Sequence, residues 1–293
     1  MNNIIFIIMD SCRYDTFVAA KKNAIDLFTA TNNTAVEKRY SYASWTSPSH
    51  YVMLMGLMPH RSPSKVFASD VYKTEFANWI TRIGKDGLSF KNFIPEFSLP
   101  KVLRMLGYQT LAMVSMPVLN PMTPLNNNFD NYTLMDNHND FPGMVDRMIF
   151  KNERPSFYFC NLGETHYPYM LSGENLPHIS GVHGVFKQMD DFMLQGGPHQ
   201  TKQDGATFFQ PDEMQRLFNQ QIRCVEHLDR QFHRLFLKAP AGTHVIITAD
   251  HGELFGEDDY FGHGPIAHEK CFEVPFLEGK ISAELQSQLT TLS

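Results

Sequence analysis

The sequence predicts an α/β protein with a mainly parallel central sheet and helices on both faces. Three observations carry this prediction. Short, continuous apolar runs such as Ile4-Ile5-Phe6-Ile7-Ile8-Met9 are what a strand buried on both faces requires. Such runs alternate with stretches of helical spacing, as in a chain that crosses over between parallel strands. Polar residues suited to catalysis follow several of the runs directly, and ligands bind at those carboxyl ends in parallel sheets.

Taken in order, the first strand covers Ile4 to Met9 and stops at Asp10. Residues 46 to 57 read as a helix, with Pro48 suited to its first turn. Leu99 to Leu106 has helical spacing and meets a C-terminal stop at Gly107. Thr110 to Val114 reads as the next strand, and Ser156 to Leu162 as another, running into Gly163-Glu164-Thr165-His166. Pro211 to Leu237 is the longest helical pattern, with Leu217, Val225, Leu228, Phe232 and Leu235 on one stripe. After Pro240-Ala241-Gly242, His244 to Thr248 reads as a strand leading to Ala249-Asp250-His251. Residues 115–145, rich in Asn, Pro and Met, and 171–210, rich in Gly, Gln and His, are expected to be long surface excursions. The whole chain, 1–293, is expected to form a single catalytic domain.

Composition narrows the function. The chain is 43% hydrophobic and 19% charged, which excludes a collagenous or wholly disordered protein. Twenty-five basic residues stand against 31 acidic ones, and no basic run interrupts the net charge of −6. Nucleic acid and anionic membranes are therefore not the expected partners. No apolar stretch approaches the ~20 residues of a membrane helix, and Ile4 to Met9 lacks the basic flank of a signal peptide. Cys12, Cys160, Cys224 and Cys271 are dispersed, so free thiols and a cytoplasmic location are expected.

The chemistry is expected where strands end. Asp250 and His251 are adjacent, and a carboxylate and an imidazole at one strand end can reach one divalent cation. Asp10, after another strand, supplies a further oxygen. Buried strands also end in an Asp simply to cap the next helix, and that reading stays open for each residue taken alone. Thr46 places a hydroxyl where a helix begins, beside free N–H groups and a positive dipole end. Contact with a metal lowers a hydroxyl's pKa and makes it a usable nucleophile. Thr46, Ser47 and Ser49 serve equally well as helix caps, which is the competing reading.

Asp10-x-x-Arg13-x-Asp15, Thr46-x-Pro48-Ser49 followed by Gly56, His166-x-Pro168-Tyr169, Asp250-His251-Gly252 and His263-Gly264 form an ordered series of motifs along the chain. Together they resemble the sulfatase branch of the alkaline phosphatase superfamily. Leu99 to Val114 and Val274-Pro275-Phe276 are similar to further landmarks of the branch, so the resemblance spans almost the whole chain. It departs at two places. Sulfatases carry a Cys or Ser that is oxidised to formylglycine where this chain has Thr46, and an Arg where it has His50. Ser115 to Leu119 lacks the Lys-x-His that sulfatases tend to carry. A threonine nucleophile with Asp-His and a later His-Gly is similar to the phosphoethanolamine and glycerolphosphate transferases of the superfamily, which carry transmembrane anchors that this sequence lacks.

The resemblance implies one divalent metal on Asp10, Thr46, Asp250 and His251, zinc or manganese first, with calcium or magnesium open. It implies that Thr46 attacks phosphorus and forms a covalent phospho-threonine, while His166 and His263 hold oxygens or protonate the leaving group. Either histidine is alternatively a ligand of a second metal. His50, on the Thr46 face of its helix, is a candidate for orienting substrate or nucleophile. Arg13 and Asp15 are expected to brace the first turn. The function implied is a metal-dependent hydrolase or transferase of phosphate esters, phosphonate esters or phosphodiesters. A sulfatase working without formylglycine and a non-catalytic scaffold are the alternatives. Most of the C-terminal subdomain of the family is expected to be missing, leaving open a site completed by a second subunit of a homo-oligomer.

Overall fold

A computed structural model describes residues 1–61, 68–88, 98–151, 153–169, 171, 176, 210–264 and 267–292; the side chains of 68–70 and 72 are outside that description. Strands β1 (Ile4–Met9), β3 (Gln109–Val114), β5 (Ser156–Leu162) and β6 (His244–Ala249) form the centre of a seven-stranded sheet that also holds β2 (Glu37–Tyr40), β4 (Asn131–Leu134) and β9 (Glu273–Lys280), in the order β2-β9-β6-β1-β5-β3-β4; β7 (Leu254–Phe255) and β8 (Phe261–Gly262) pair separately, and the short helix α8 (Glu269–Phe272) leads into β9. The strands from β6 to β4 in that order run parallel. On the other side, β9 (Glu273–Lys280) is antiparallel to β6, and β2 (Glu37–Tyr40) is antiparallel to β9.

Burial explains why β1 reads as an unbroken apolar run. Ile5, Ile7 and Met9 face one layer, containing α1 (Tyr14–Ala19), α2 (Asn23–Thr31), α6 (Phe141–Arg147), α7 (Pro211–Lys238) and α9 (Ala283–Thr291). Ile4, Phe6 and Ile8 face the other, containing α3 (Thr46–Leu54), α4 (Ala68–Ile83) and α5 (Leu99–Met105). Every residue of the strand is fully buried because both faces are covered. Helix α7 extends about 42 Å at 1.5 Å per residue. Its stripe of Leu217, Val225, Leu228, Phe232 and Leu235 is wholly buried, with Phe236 stacked on Phe28 at 4.9 Å between centroids.

The stretch 115–145 differs from the excursion expected of it. It supplies β4 (Asn131–Leu134), the edge strand beside β3, and most of α6, whose Phe141, Met144 and Val145 enter the core. Its Asn and Pro residues mark turns between short elements. Nearly all of 171–210, the other expected excursion, lies outside the described residues. No helix among the described residues is long and apolar enough to cross a membrane.

Candidate active site

Two strand ends bring two carboxylates together. Met9 of β1 and Ala249 of β6 are register partners, so Asp10 and Asp250 leave the sheet side by side, both fully buried. Ser11 has φ 59, in the left-handed region, and its N–H donates to Asp250 Oδ1 at 3.1 Å. The N–H of His251 donates to the same oxygen at 3.0 Å, while Asp250 Oδ2 has no hydrogen-bond donor. Burial and the Asp10 charge push the Asp250 carboxyl well above the usual range. For Asp10, burial pushes upward, but His166, His251, His50 and a hydrogen bond from Asn161 outweigh it and hold the carboxylate low. Two carboxyl groups sharing one dry corner, one of them with a bare oxygen, are relieved by a proton or by a cation between them.

His251 completes the corner. Its Nδ1–H donates to the Gly252 carbonyl at 2.8 Å, leaving Nε2 as the atom that faces Asp250 Oδ2 at 3.4 Å and Asp10 Oδ1 at 3.8 Å. Burial, then neighbouring His263, pushes His251 down to about 3, so the ring is neutral and its Nε2 lone pair is available. Ligand atoms of Asp10, Asp250 and His251 lie within 4.8 Å of one another. The neutral imidazole, the bare Asp250 oxygen and the adjacent carboxylate fit a divalent cation. Gly252 is required by close approach: a Cβ there would collide with the Lys270 carbonyl.

Thr46 faces the same corner. It is the first residue of α3, and the cap position belongs to Trp45, which makes no side-chain cap bond. The Thr46 hydroxyl instead lies 3.3 Å from His251 Nε2 and 3.5 Å from Asp10 Oδ1. His50, one turn later, donates from Nδ1 to the Thr46 carbonyl at 2.8 Å, and its Nε2 meets the Asn161 amide at 3.3 Å. It is almost fully buried, behind the threonine, with both ring nitrogens engaged.

Asn161 was not identified from the sequence, because it reads as one polar letter inside the apolar run of β5. Its Nδ2 donates to Asp10 Oδ2 at 2.9 Å, and its Oδ1 accepts from the N–H groups of Ser115 and Met116. Gln221 of α7 is equally silent in sequence. Its Nε2 donates to the carbonyls of Ser11 and Thr165, and its Oε1 accepts from Arg13 N–H and the Thr16 hydroxyl.

His166 and His263 are buried beside the corner. The His263 ring is 4.2 Å from His251 and 5.2 Å from His166 between centroids. His166 donates from Nδ1 to the Tyr167 carbonyl at 2.6 Å, and His263 Nδ1 is 3.1 Å from Glu253 Oε1. Ser44 and Gly264 tie the two approaching loops together by a pair of hydrogen bonds. Glu164, although it also follows β5, turns away and accepts from the Phe141 N–H at 2.8 Å. Arg13 makes a two-pronged contact with Asp15 and pairs with Glu257 at 2.5 Å, the bracing expected of it.

A family model described as sulfatase matches residues 2–278, so the chain belongs to the sulfatase family. It is an enzyme of that family. The fold is similar to the C-terminal periplasmic domain of the phosphoethanolamine transferase EptC from Campylobacter jejuni, at 11% identity and TM-score 0.53, covering 98% of this chain and 81% of that one. It is also similar to the zinc complex of the corresponding domain from Escherichia coli, at 13% identity and TM-score 0.54, covering 98% and 74%. A 2-O GAG sulfatase matches at 13% identity and TM-score 0.54, covering 99% and 69%. No curated protein matches the sequence.

Proposed function

We propose that this chain is a metal-dependent hydrolase or transferase of phosphate esters, phosphonate esters or phosphodiesters, acting through a covalent phospho-threonine on Thr46. The observation that carries the reading is the Thr46 hydroxyl. It starts a helix without capping it and sits 3.3–3.5 Å from a neutral histidine and a carboxylate. Asp10, Asp250, His251 and Thr46 would hold one divalent cation, zinc or manganese best suiting this mixed oxygen and nitrogen set. Such a cation supplies positive charge that lowers the hydroxyl's pKa and offsets charge developing on the transferring group.

The residues then divide the work. Thr46 Oγ1 gives its proton to solvent and attacks phosphorus, and the bond from phosphorus to the leaving oxygen breaks. His166 or His263 gives that oxygen a proton, and the two rings flank the non-bridging oxygens. Water or an acceptor alcohol next attacks phosphorus and gives its proton to that histidine, the bond from phosphorus to Thr46 Oγ1 breaks, and Oγ1 takes a proton from solvent to become a hydroxyl again. The free N–H groups and positive end of α3 favour the anionic group throughout. His50 and Asn161 act behind the site by holding Thr46 and Asp10 in place.

Phosphoryl transfer is preferred to sulfuryl transfer because threonine cannot become formylglycine. A single catalytic unit, a small-molecule ester as partner and a cytoplasmic location belong to the same proposal. The location is supported by four free, buried cysteines, whereas the EptC structures are periplasmic domains. The test is trapping: brief incubation with aryl phosphate, phosphonate, phosphodiester and sulfate esters, acid quench and peptide mapping. A phosphoryl group on Thr46 is expected. Turnover of the sulfate ester alone, with Thr46 unmodified, would overturn the proposal.

A further inference from the structure

We infer that the substrate is a phosphodiester or phosphonate ester whose retained substituent is an apolar alkyl or aryl group, received by Trp45 and the turn after β3. This rests on the reading of Thr46 as the nucleophile. In-line attack sets Thr46 Oγ1 and the leaving oxygen at opposite apices of phosphorus, so the other three substituents point sideways. Two of them are the oxygens that His166 and His263 flank. The third faces whatever lies on the nucleophile's own side.

The two sides differ in character. The histidines are tied to the α7 layer: Tyr169, three residues after His166, packs with Met214 and Leu217 of α7, and the Glu253 carboxyl group lies between the Tyr169 hydroxyl and His263 Nδ1. On the nucleophile's side, Trp45 sits between two fixed points. Ser44 is hydrogen-bonded to Gly264 in both directions, and Thr46 starts α3. The Trp45 backbone is thus held, yet its side chain is 49% exposed, and an indole is among the largest apolar surfaces a residue offers. Asn161, which holds Asp10, also holds the N–H groups of Ser115 and Met116, so the turn after β3 is fixed at the edge of the same corner. Helix α3 packs against that turn, where Val118 is 47% exposed.

Charge decides what such a surface takes. From Tyr40 to Pro59 and from Ser115 to Phe129, the one acidic or basic residue is His50, which is buried behind Thr46. A carboxylate or an ammonium group on the retained substituent would find no charged partner in either stretch, and would lose water on arrival. An alkyl or aryl group would cover indole and valine that otherwise stand in water.

Trp45 also reports its own occupancy. The only other tryptophan, Trp79, is fully buried and donates to the Gly56 carbonyl, so a change of indole emission on binding belongs to Trp45. The probes are methyl-, butyl-, octyl- and phenylphosphonic acid, titrated into the protein as purified. Emission should move to the blue with the longer chains, and Kd should fall about 2–4-fold per added methylene. Trp45→Ala, followed by calorimetry, should flatten the series, and Val118→Asp should weaken octylphosphonic acid more than the methyl compound. Because both side chains are exposed, neither change threatens the fold. A Kd that is flat across the series, or a Trp45→Ala protein that keeps the full dependence, overturns the inference. So does a butylphosphonic acid bearing a terminal carboxylate or ammonium that binds as tightly as the plain chain. Binding is read without turnover. A flat series with a phosphoryl group trapped on Thr46 removes this inference alone, whereas a steep series with nothing trapped removes the nucleophile and leaves the apolar subsite.

Discussion

Replacing Thr46 with Ala separates a nucleophile from a helix cap by two quantities that move in opposite senses. The change deletes a methyl and a hydroxyl. A buried methyl contributes about 0.8 kcal/mol. The hydroxyl's neighbours, at 3.3 and 3.5 Å, lie at the outer limit of hydrogen bonding, and its single proton serves one of them, so well under about 1 kcal/mol is lost there. Alanine at the first helical position returns up to ~0.7 kcal/mol of helix propensity. The balance is a loss of no more than about 1 kcal/mol, seen as a fall in Tm of about 3 °C or less. Turnover should fall on the order of 10⁴-fold or more, equivalent to about 5.5 kcal/mol of barrier. Thr46→Ser keeps the oxygen and should keep measurable activity. The assay is steady-state hydrolysis of an activated phosphate ester, with thermal unfolding run on the same preparations. Wild-type turnover by Thr46→Ala, or a stability loss of about 2 kcal/mol with activity retained, would refute the assignment.

Asp250→Asn should remove most bound metal, and chelation of the wild type should abolish activity; elemental analysis showing a full complement of metal in the variant would contradict the site. His166→Ala should lower turnover roughly 10²–10⁴-fold with metal content near wild type, whereas loss of metal would point to a second ion. Glu164 is buried, and burial pushes it up to about 7, opposed by the Phe141 N–H it accepts. Its folded-state pKa is raised, so wild-type stability is fully present below about 4.5 and is lost as pH rises toward 7. Glu164→Gln should therefore be more stable than wild type at pH 8, by at most about 3 kcal/mol, and indistinguishable from it near pH 4. Urea unfolding at the two pH values checks both the sign and the window.

The central strands were legible because burial on two faces leaves a largely apolar run, unbroken in Ile4–Met9 and interrupted only by His244 and Thr248 in His244–Ala249. Ser156–Leu162 was legible for the same reason, and there the rule concealed something: Asn161 is tolerated in the run because its amide is fully used on Asp10, Ser115 and Met116. The short edge strands β2 and β4 carry too few residues for a period to emerge, and β9 contains Pro275 and Gly279. Asp10, Thr46, Asp250 and His251 stood out because they follow or begin elements, and the structure brings all four to one corner. Glu253, Gln221 and Tyr169 did not stand out. Their partners are 10 to 210 residues away, and a single sequence holds no local trace of such pairings.

Gln221 couples the catalytic corner to the order of assembly. One side-chain amide on α7 joins the loop after β1 to the loop after β5, across sequence separations of 205 to 210 residues within the first loop. Contacts that close so long a stretch of chain form late, after the closure entropy has been met by the surrounding layers. The sheet can therefore exist before the corner has its working dimensions. With the proposed metal site, ion uptake would report on whether α7 has docked, and a nascent chain still short of residue 221 would offer passing cations Asp10 alone, before Asp250, His251 and the amide that spaces its loop exist.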